Sequence, residues 1–348
     1  QHTVLLEVPN RDEILLAFED IERDRPNCDQ DFNDVVFYVT ADPADAFDRE
    51  DLPETPPTKD DRDGVPDAED DEPDDPTIAT YEYGPAKDQF GTLAYEDLWP
   101  GQGDYDFNDL VVDYTLRFAR HADGTLTRLD GRFVVKAIGA AFVNGFALEA
   151  PVPAASVASV SGQRLSQNLF TMANNGTEAG RTRAVIPVFD AAQEILSDPA
   201  TFFANTEAGQ PYVPPTDTIA IGVAFAPRIP AADSRALSVT WLNPFLVSNQ
   251  ERGREVHLPD LPPTEGADLA LFNTSEDESD VEAGLTYKTW NGLPWALHFV
   301  GGFVYPFEEV DITRAYPRFK PWAESGGVVD ADWYTNPDYR VDPYLYRP

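Results

Sequence analysis

GDYDFNDLVVDY (residues 103–114) places Asp104, Asp106, Asn108 and Asp109 at the mouth of an apolar run with the composition of a β-strand. A strand needs no such density of charge at its entrance. CDQDFNDVVFYV (28–39) repeats the pattern earlier in the chain, and the likeness extends upstream. LAFEDI (16–21) matches LAYEDL (93–98) at an offset of 77 residues, and DQDFNDVVFY (29–38) matches DYDFNDLVVD (104–113) at 75. The first copy carries two extra loop residues. Each copy reads as strand, acidic pair, loop, acidic cluster, strand: a hairpin charged at one end.

The spacing brings Glu19, Asp20, Asp31, Asn33 and Asp34 to one such end, and Glu96, Asp97, Asp104, Asp106, Asn108 and Asp109 to the other. Carboxylates gathered in this way repel one another by several kcal/mol unless a cation lies among them. Calcium takes about six to eight oxygens from Asp, Asn, backbone carbonyl and water. The all-oxygen character of the loops argues against zinc or copper. Asp and Asn also cap turns in solvated loops, but two copies in the same internal order favour ligands.

Between the copies the composition changes. Residues 42–80 hold 16 acids against Arg49, Lys59 and Arg62, with many prolines, and read as a long acidic linker that repels itself without metal. Within it, KDDRDGVPDAEDD (59–71) sets out Asp61, Asp63, Gly64, Asp67 and Asp70 as alternating carboxylates, a turn glycine and acids beyond it. Those are the mechanics of a calcium loop. The segment resembles a thrombospondin type 3 repeat, in which the DGVPD core recurs. Lys59 stands where that pattern begins with another Asp, which removes a ligand or passes its role to Asp60 or Asp71.

Elsewhere the chain alternates strand-like runs with turns. TVLLEV, EILLAF and DVVFYVT lie within residues 1–41; three strands of that length cannot hold a domain alone and call for a partner sheet or a second molecule. From residue 81 onward LVVDYTLRF, GRFVVKAI, TIAIGVAF and ALSVTWL continue the pattern. FDAAQEILSD (189–198) and DITRAYPRFKPWAES (311–325), the latter broken by Pro317 and Pro321, are the helical candidates. The expected fold is mainly β: an antiparallel β-sandwich or jelly roll with a few short helices. Its expected parts are 1–41, the linker 42–80 and a β domain over 81–348, with a Trp- and Tyr-rich tail wrapped around the sandwich.

The formal net charge is −37, from 62 acids and 25 bases, and excludes nucleic acid and anionic membrane surfaces as partners. No run approaches the length of about 18 apolar residues that would span a membrane. One cysteine, Cys28, permits no intrachain disulfide. The chain opens at Gln1 and its single methionine is Met172, as expected of a secreted or surface protein whose signal peptide has been removed. His2, His121, His257 and His298 are scattered and show no metal-protease spacing, so an enzyme is not expected. A glycan-active hydrolase is the distant alternative, and RGREVHLPD (252–260), with Arg252, Arg254, His257 and Asp260, is the most catalytic-looking stretch.

GTLAYEDLWPGQGDYDFNDLVVDY, VVKAIGAAFVNGFALE, NGTEAGRTRAVIPVFD, RGREVHLPDLPPT and LPWALHFVGGFVYPFEEVDITRAYPRFKPWAESGG run in the order of the bacterial LruC domain, and residues 81–348 resemble that family. The upstream FEDIERD…DFNDVVFYV resembles the calcium-loop domain that often precedes it. The resemblance implies a bacterial envelope or secreted location and supplies no catalytic residues. Residues and resemblance together lead to an extracellular calcium-binding structural protein, a filament or biofilm-matrix subunit that self-associates through its N-terminal strands. A calcium-dependent adhesin for surface glycans, using aromatics such as Trp290, Trp295, Trp322, Trp333, Tyr316 and Tyr334, is the alternative.

Overall fold

The computed structural model describes residues 2–8, 13–22, 25, 28, 31–42, 46, 52–53, 65, 69–197 and 202–347. Asp61, Asp63 and Asp67 of the expected linker loop lie outside them. The chain divides into two compact units, Gln1–Pro76 and Thr77–Pro348. The second begins at Thr77 because Ile78 and Ala79 are already buried and Ala79 N–H donates to Arg120 O (2.7 Å).

In the first unit β1 (Thr3–Glu7), β2 (Glu13–Phe18) and β3 (Val35–Thr40) form an antiparallel sheet of their own, in the order β1-β2-β3. Val8, Ile14 and Ala17 are buried, and Phe18 meets Phe37 edge-on at 6.2 Å. β3 is an end strand and little of it is covered: Val35, Val36, Phe37 and Tyr38 are 44–57% exposed.

The second unit is the β-sandwich. β4 (Thr80–Gly84), β5 (Gly91–Tyr95), β6 (Leu110–Arg120) and β7 (Leu126–Ala137) are followed by β8 (Gly145–Pro153), β9 (Val157–Ser161) and β10 (Arg183–Phe189). β11 (Ile219–Ile229), β12 (Pro244–Val247), β13 (Glu255–His257) and β14 (Ala296–Phe299) complete the set. One sheet has seven strands, ordered β14-β5-β6-β7-β11-β9 with β4 also paired to β6; the other has four, ordered β10-β8-β12-β13. β6 is long enough for β5 to pair with Leu110–Tyr114 and β4 with Leu116–Arg120.

Period-two alternation makes the core. Leu110, Val112, Tyr114, Leu116 and Phe118 of β6 point to the four-stranded sheet and meet Phe146, Leu148 and Ala150 of β8 and Ile186 and Val188 of β10. Phe146 joins the layers: its ring lies 6.2 Å from Tyr95, 5.7 Å from Phe133 and 5.6 Å from Phe189. The opposite face of the large sheet is covered by the C-terminal tail. Ala94, Val111, Ala137 and Leu297 pack there under a cluster centred on Trp333, whose ring touches those of Phe299, Tyr316, Phe319 and Trp322.

Two expected elements differ, and a third is met. ALSVTWL is a turn: Ser238 Oγ accepts the Trp241 N–H (3.2 Å), and the buried Val239 and Leu242 stand three residues apart, where a strand would separate them by two or four. Among the described residues of 189–198 only Ala192–Glu194 makes a single 3-10 turn, because Phe189 remains in β10 and Asp190 accepts the Ser166 and Gln167 N–H groups (2.8 and 2.7 Å). Over 311–325 there are two short helices, α1 (Ile312–Ala315) and α2 (Phe319–Glu324), divided at Pro317. Asp311 caps α1 by accepting the Thr313 N–H (2.7 Å).

Phe146→Ala is expected to destabilise the second unit by about 3–5 kcal/mol in denaturant unfolding. Phe37→Ala, at an exposed site in the first unit, is expected to cost under about 1 kcal/mol.

Candidate functional site: a buried carboxylate cluster

The repeat reappears as repeated geometry. Phe18 pairs with Val35 in the first hairpin and Tyr95 with Leu110 in the second, at the same two offsets that relate the sequences. In the second copy Asp109 Oδ2 accepts the Asp97 N–H at 2.7 Å; in the first, Asp34 Oδ2 accepts the Asp20 N–H at 2.8 Å. Asp106 Oδ1 accepts the Asn108 N–H at 3.0 Å, and Asp31 Oδ1 the Asn33 N–H at 3.1 Å. Phe107 and Phe32 both hold a left-handed backbone, φ 55° and 59°.

In the second copy Tyr105 is left-handed too, φ 64°. Bulky residues adopt this conformation at a cost of order 1–3 kcal/mol each, so the surroundings must impose it. Their rings do so from one side: Tyr105 and Phe107 are buried, 4.8 Å apart, and both meet Phe319 of α2. Their N–H groups do so from the other: Tyr105 N–H donates to Glu96 Oε2 (3.2 Å) and Phe107 N–H to Glu96 Oε1 (2.5 Å). Alternate residues of DYDFN thus anchor in apolar core, and the acids between them turn toward the cluster.

Carboxylate oxygens of Glu96, Asp104 and Asp106 lie within 4.8 Å of one another. Glu96 and Asp106 are fully buried; Asp104 is exposed at the rim. Asp106 Oδ2 accepts the Glu309 N–H (3.0 Å), which brings the tail segment PFEEV to the site. Glu308 then adds a carboxylate that the sequence did not single out. Its Oε2 is buried without a hydrogen-bond partner, and so is the side-chain oxygen of the fully buried Asn108. Both atoms converge beside Gly139: a Cβ there would lie 1.7 Å from Asn108 Oδ1 and 2.6 Å from Glu308 Oε2. On the Asp97 side, Asn144 Nδ2 donates to Asp97 Oδ2 (2.8 Å) and Ser248 Oγ to Asp97 O (2.7 Å).

The electrostatics are unfavourable for a cluster of anions alone. Burial, then the neighbouring charges of Asp104 and Glu308, push Asp106 up to about 9. Burial and Asp104 push Glu308 up to about 8, and burial lifts Asp97 to about 6. Glu96 and Asp109 are raised well above the usual carboxylate range, by burial first and by acidic neighbours second. Among the described residues, none of these carboxylates is ion-paired to Lys or Arg. At 4.8 Å an ionised buried pair costs about 3–4 kcal/mol for an effective dielectric constant of ~20. The donor set is oxygen throughout, which fits a hard divalent cation.

Oxygens of Glu19, Asp20 and Asp34 in the first copy also lie within 4.8 Å of one another. Glu19 is buried with Oε2 unpartnered, whereas Asp20, Asp31, Asn33 and Asp34 are exposed. Asp31 turns inward on its own loop, accepting from Asn33 Nδ2 at 2.6 Å. In the linker, Asp70 accepts the Glu72 N–H (2.7 Å). Cys28 is a half-buried thiol in no disulfide.

RGREVHLPD forms a buried polar network at β13. Glu255 accepts from Arg252, from the Thr264 N–H (2.9 Å) and from His257 (3.0 Å), and His257 also meets Asn243 (2.7 Å). Burial opposes the Glu255 charge, yet His257 and Arg252 outweigh it and hold the carboxyl at about 2.

Comparison with known proteins bears on fold and family. The model of a domain of unknown function, DUF4842, matches residues 124–334, and that of another, DUF4114, matches residues 1–42. No curated protein matches the chain. A crystal structure from Bacteroides ovatus, of a protein provisionally named a lipoprotein, superposes with a TM-score of 0.57 at 17% identity. The match covers 77% of this chain and 76% of that one, which is a likeness of fold.

Gly139→Ala is expected to displace Asn108 and Glu308 and to lower stability by about 1–3 kcal/mol. The check is thermal unfolding beside Gly302→Ala, where a Cβ meets nothing within 4 Å.

Proposed function

The chain belongs to the DUF4842 family, a domain of unknown function, and we propose that its members of this form are calcium-held structural proteins of the bacterial exterior. One observation carries this: buried carboxylates, none of them ion-paired to Lys or Arg among the described residues, lie beside two buried, unpartnered oxygens, those of Asn108 and Glu308. Glu96, Asp104, Asp106, Asn108 and Glu308 supply the ligands in the second copy, with Asp97 and Asp109 orienting the hairpin end. Glu19, Asp20 and Asp34 form the weaker, more exposed counterpart. The linker loop over 59–71, with Asp61, Asp63, Asp67 and Asp70, adds a thrombospondin-like site, and the LruC resemblance of 81–348 supports the family assignment at a finer level.

An extracellular setting suits this chemistry, since calcium there is abundant enough to fill weak sites. The absence of any described helix long and apolar enough to cross a membrane is compatible with it, and so is the provisional lipoprotein name of the structural neighbour. Self-association is assigned to β3, an end strand with four large apolar side chains exposed, since such edges accept strands from other molecules. Repetition of that contact gives a filament or matrix.

The pH dependence has a definite sign. Raised folded-state values mean that the metal-free protein binds extra protons between the ordinary carboxylate range, near 4, and about 6, 8 and 9 for Asp97, Glu308 and Asp106. Their contribution is therefore full below pH 4 and is lost as pH rises toward 9. Calcium holds the ionised form and removes that loss. The gap in melting temperature between calcium and chelator is expected to be near zero at pH 4.5 and roughly 5–10 °C at pH 8, with calcium 100-fold above its dissociation constant. A gap that is absent at every pH rejects the calcium site.

Glu308→Gln separates charge from packing. It is expected to raise the melting temperature in chelator while weakening calcium binding at least tenfold by calorimetry. Negative-stain microscopy before and after chelation tests the assembly: filaments that persist without calcium, or never form with it, reject the calcium-joined filament.

A further inference from the structure

Trp290 is 82% exposed, on the turn that precedes β14. It lines a cleft of about 680 Å³ together with Trp322 of α2, Asp260, Lys288, Asn291 and Glu324. Trp322 is fixed, its ring 5.6 Å from Phe319 and 5.5 Å from Trp333. Gly292, left-handed at φ 82°, lets this turn approach α2: a Cβ there would lie 3.1 Å from Ala323 O.

The polar groups are held in place by one another. Lys288 Nζ binds Asp260 at 2.7 Å, Asn291 Nδ2 donates to Glu324 Oε1 at 2.9 Å, and Thr289 Oγ1 donates to Asn291 Oδ1 at 2.8 Å. Donors and acceptors thus flank two indoles, one rigid and one projecting. Indole faces take the apolar C–H face of a pyranose ring, and fixed amide, carboxylate and ammonium groups take its hydroxyls. Charge selects further. The single lysine of the cleft is paired with Asp260 and Glu324 with Lys320 (3.7 Å), so no cation of the cleft is free for an acidic ligand, and the chain carries −37 overall. An acidic sugar is repelled and a neutral one is not.

We propose that this cleft is a carbohydrate-binding site for a neutral polysaccharide chain, stacked on Trp290 and Trp322. The site shares no residue with the carboxylate cluster and stands independently of the calcium assignment. The test is affinity gel electrophoresis of the whole chain, in calcium, through gels containing laminarin, galactomannan, xylan or dextran, with alginate and heparin as acidic counterparts. At least one neutral polymer is expected to retard the protein. Trp290→Ala is expected to weaken that retardation at least tenfold while leaving the melting temperature unchanged, since the side chain is in solvent. Trp290→Phe is expected to retain part of it. Retardation by none of the neutral polymers, by acidic polymers alone, or to the same extent in Trp290→Ala overturns the proposal.

Discussion

The N–H groups of Tyr105 and Phe107 close on the carboxylate of Glu96, and the larger unit is organised around that contact. It demands two bulky residues in a left-handed backbone, and the conformation survives because both ends of each residue are committed. The amides bind Glu96; the rings enter the aromatic cluster under the C-terminal tail. Loosening either side releases the other. Acidic site and apolar tail are therefore one mechanical object, although one is among the most charged parts of the molecule and the other among the least.

The two copies show what burial adds to a shared loop. Both keep the turn in which Asp106 or Asp31 accepts the N–H of the following asparagine, and both keep the carboxylate that accepts from the acidic pair. In the second copy the tail supplies Glu308 and the Glu309 N–H and shields the acids from water. In the first loop Glu19 is buried, but Asp20, Asp31 and Asp34 remain solvated and their mutual repulsion is screened. On the calcium assignment, the ion matters more in the second setting than in the first.

Much of this was legible in the sequence. The repeat revealed both hairpins, their register and most of the acids, because a loop's ligands lie close together along the chain. Period-two alternation revealed β6, β7 and β11. What the sequence concealed depends on distance. Glu308 sits about 200 residues from Asp106 and reads as one more surface acid in PFEEV. Gly139 and Asn144 gain meaning only once the end of β7 and the start of β8 lie beside the hairpin. The strand expected in ALSVTWL failed for a local reason: Ser238 binds the backbone of Trp241 and makes a turn that apolar composition does not report. The helix expected over 189–198 yielded to a strand whose Phe189 was already committed to Phe146.

On the calcium assignment, the placement of the ligands decides what kind of role the ion has. Glu96, Asp104, Asp106 and Asn108 come from the hairpin, and Glu308 comes from the tail; Gly139, just beyond β7, lies against both Asn108 and Glu308. On the calcium assignment, an ion at this point cross-links segments about 200 residues apart, and its binding free energy becomes stability of the tail's packing on β5 and β6. Three things argue for a structural ion over a catalytic one. Glu96, Asp106 and Asn108 are buried, the flanking rings are locked, and the histidine-bearing network at β13 is satisfied internally. A reactive centre needs an open coordination position and a group poised to move a proton. On that assignment, Asp104 at the rim is the part of the cluster that faces water and is where the ion would exchange.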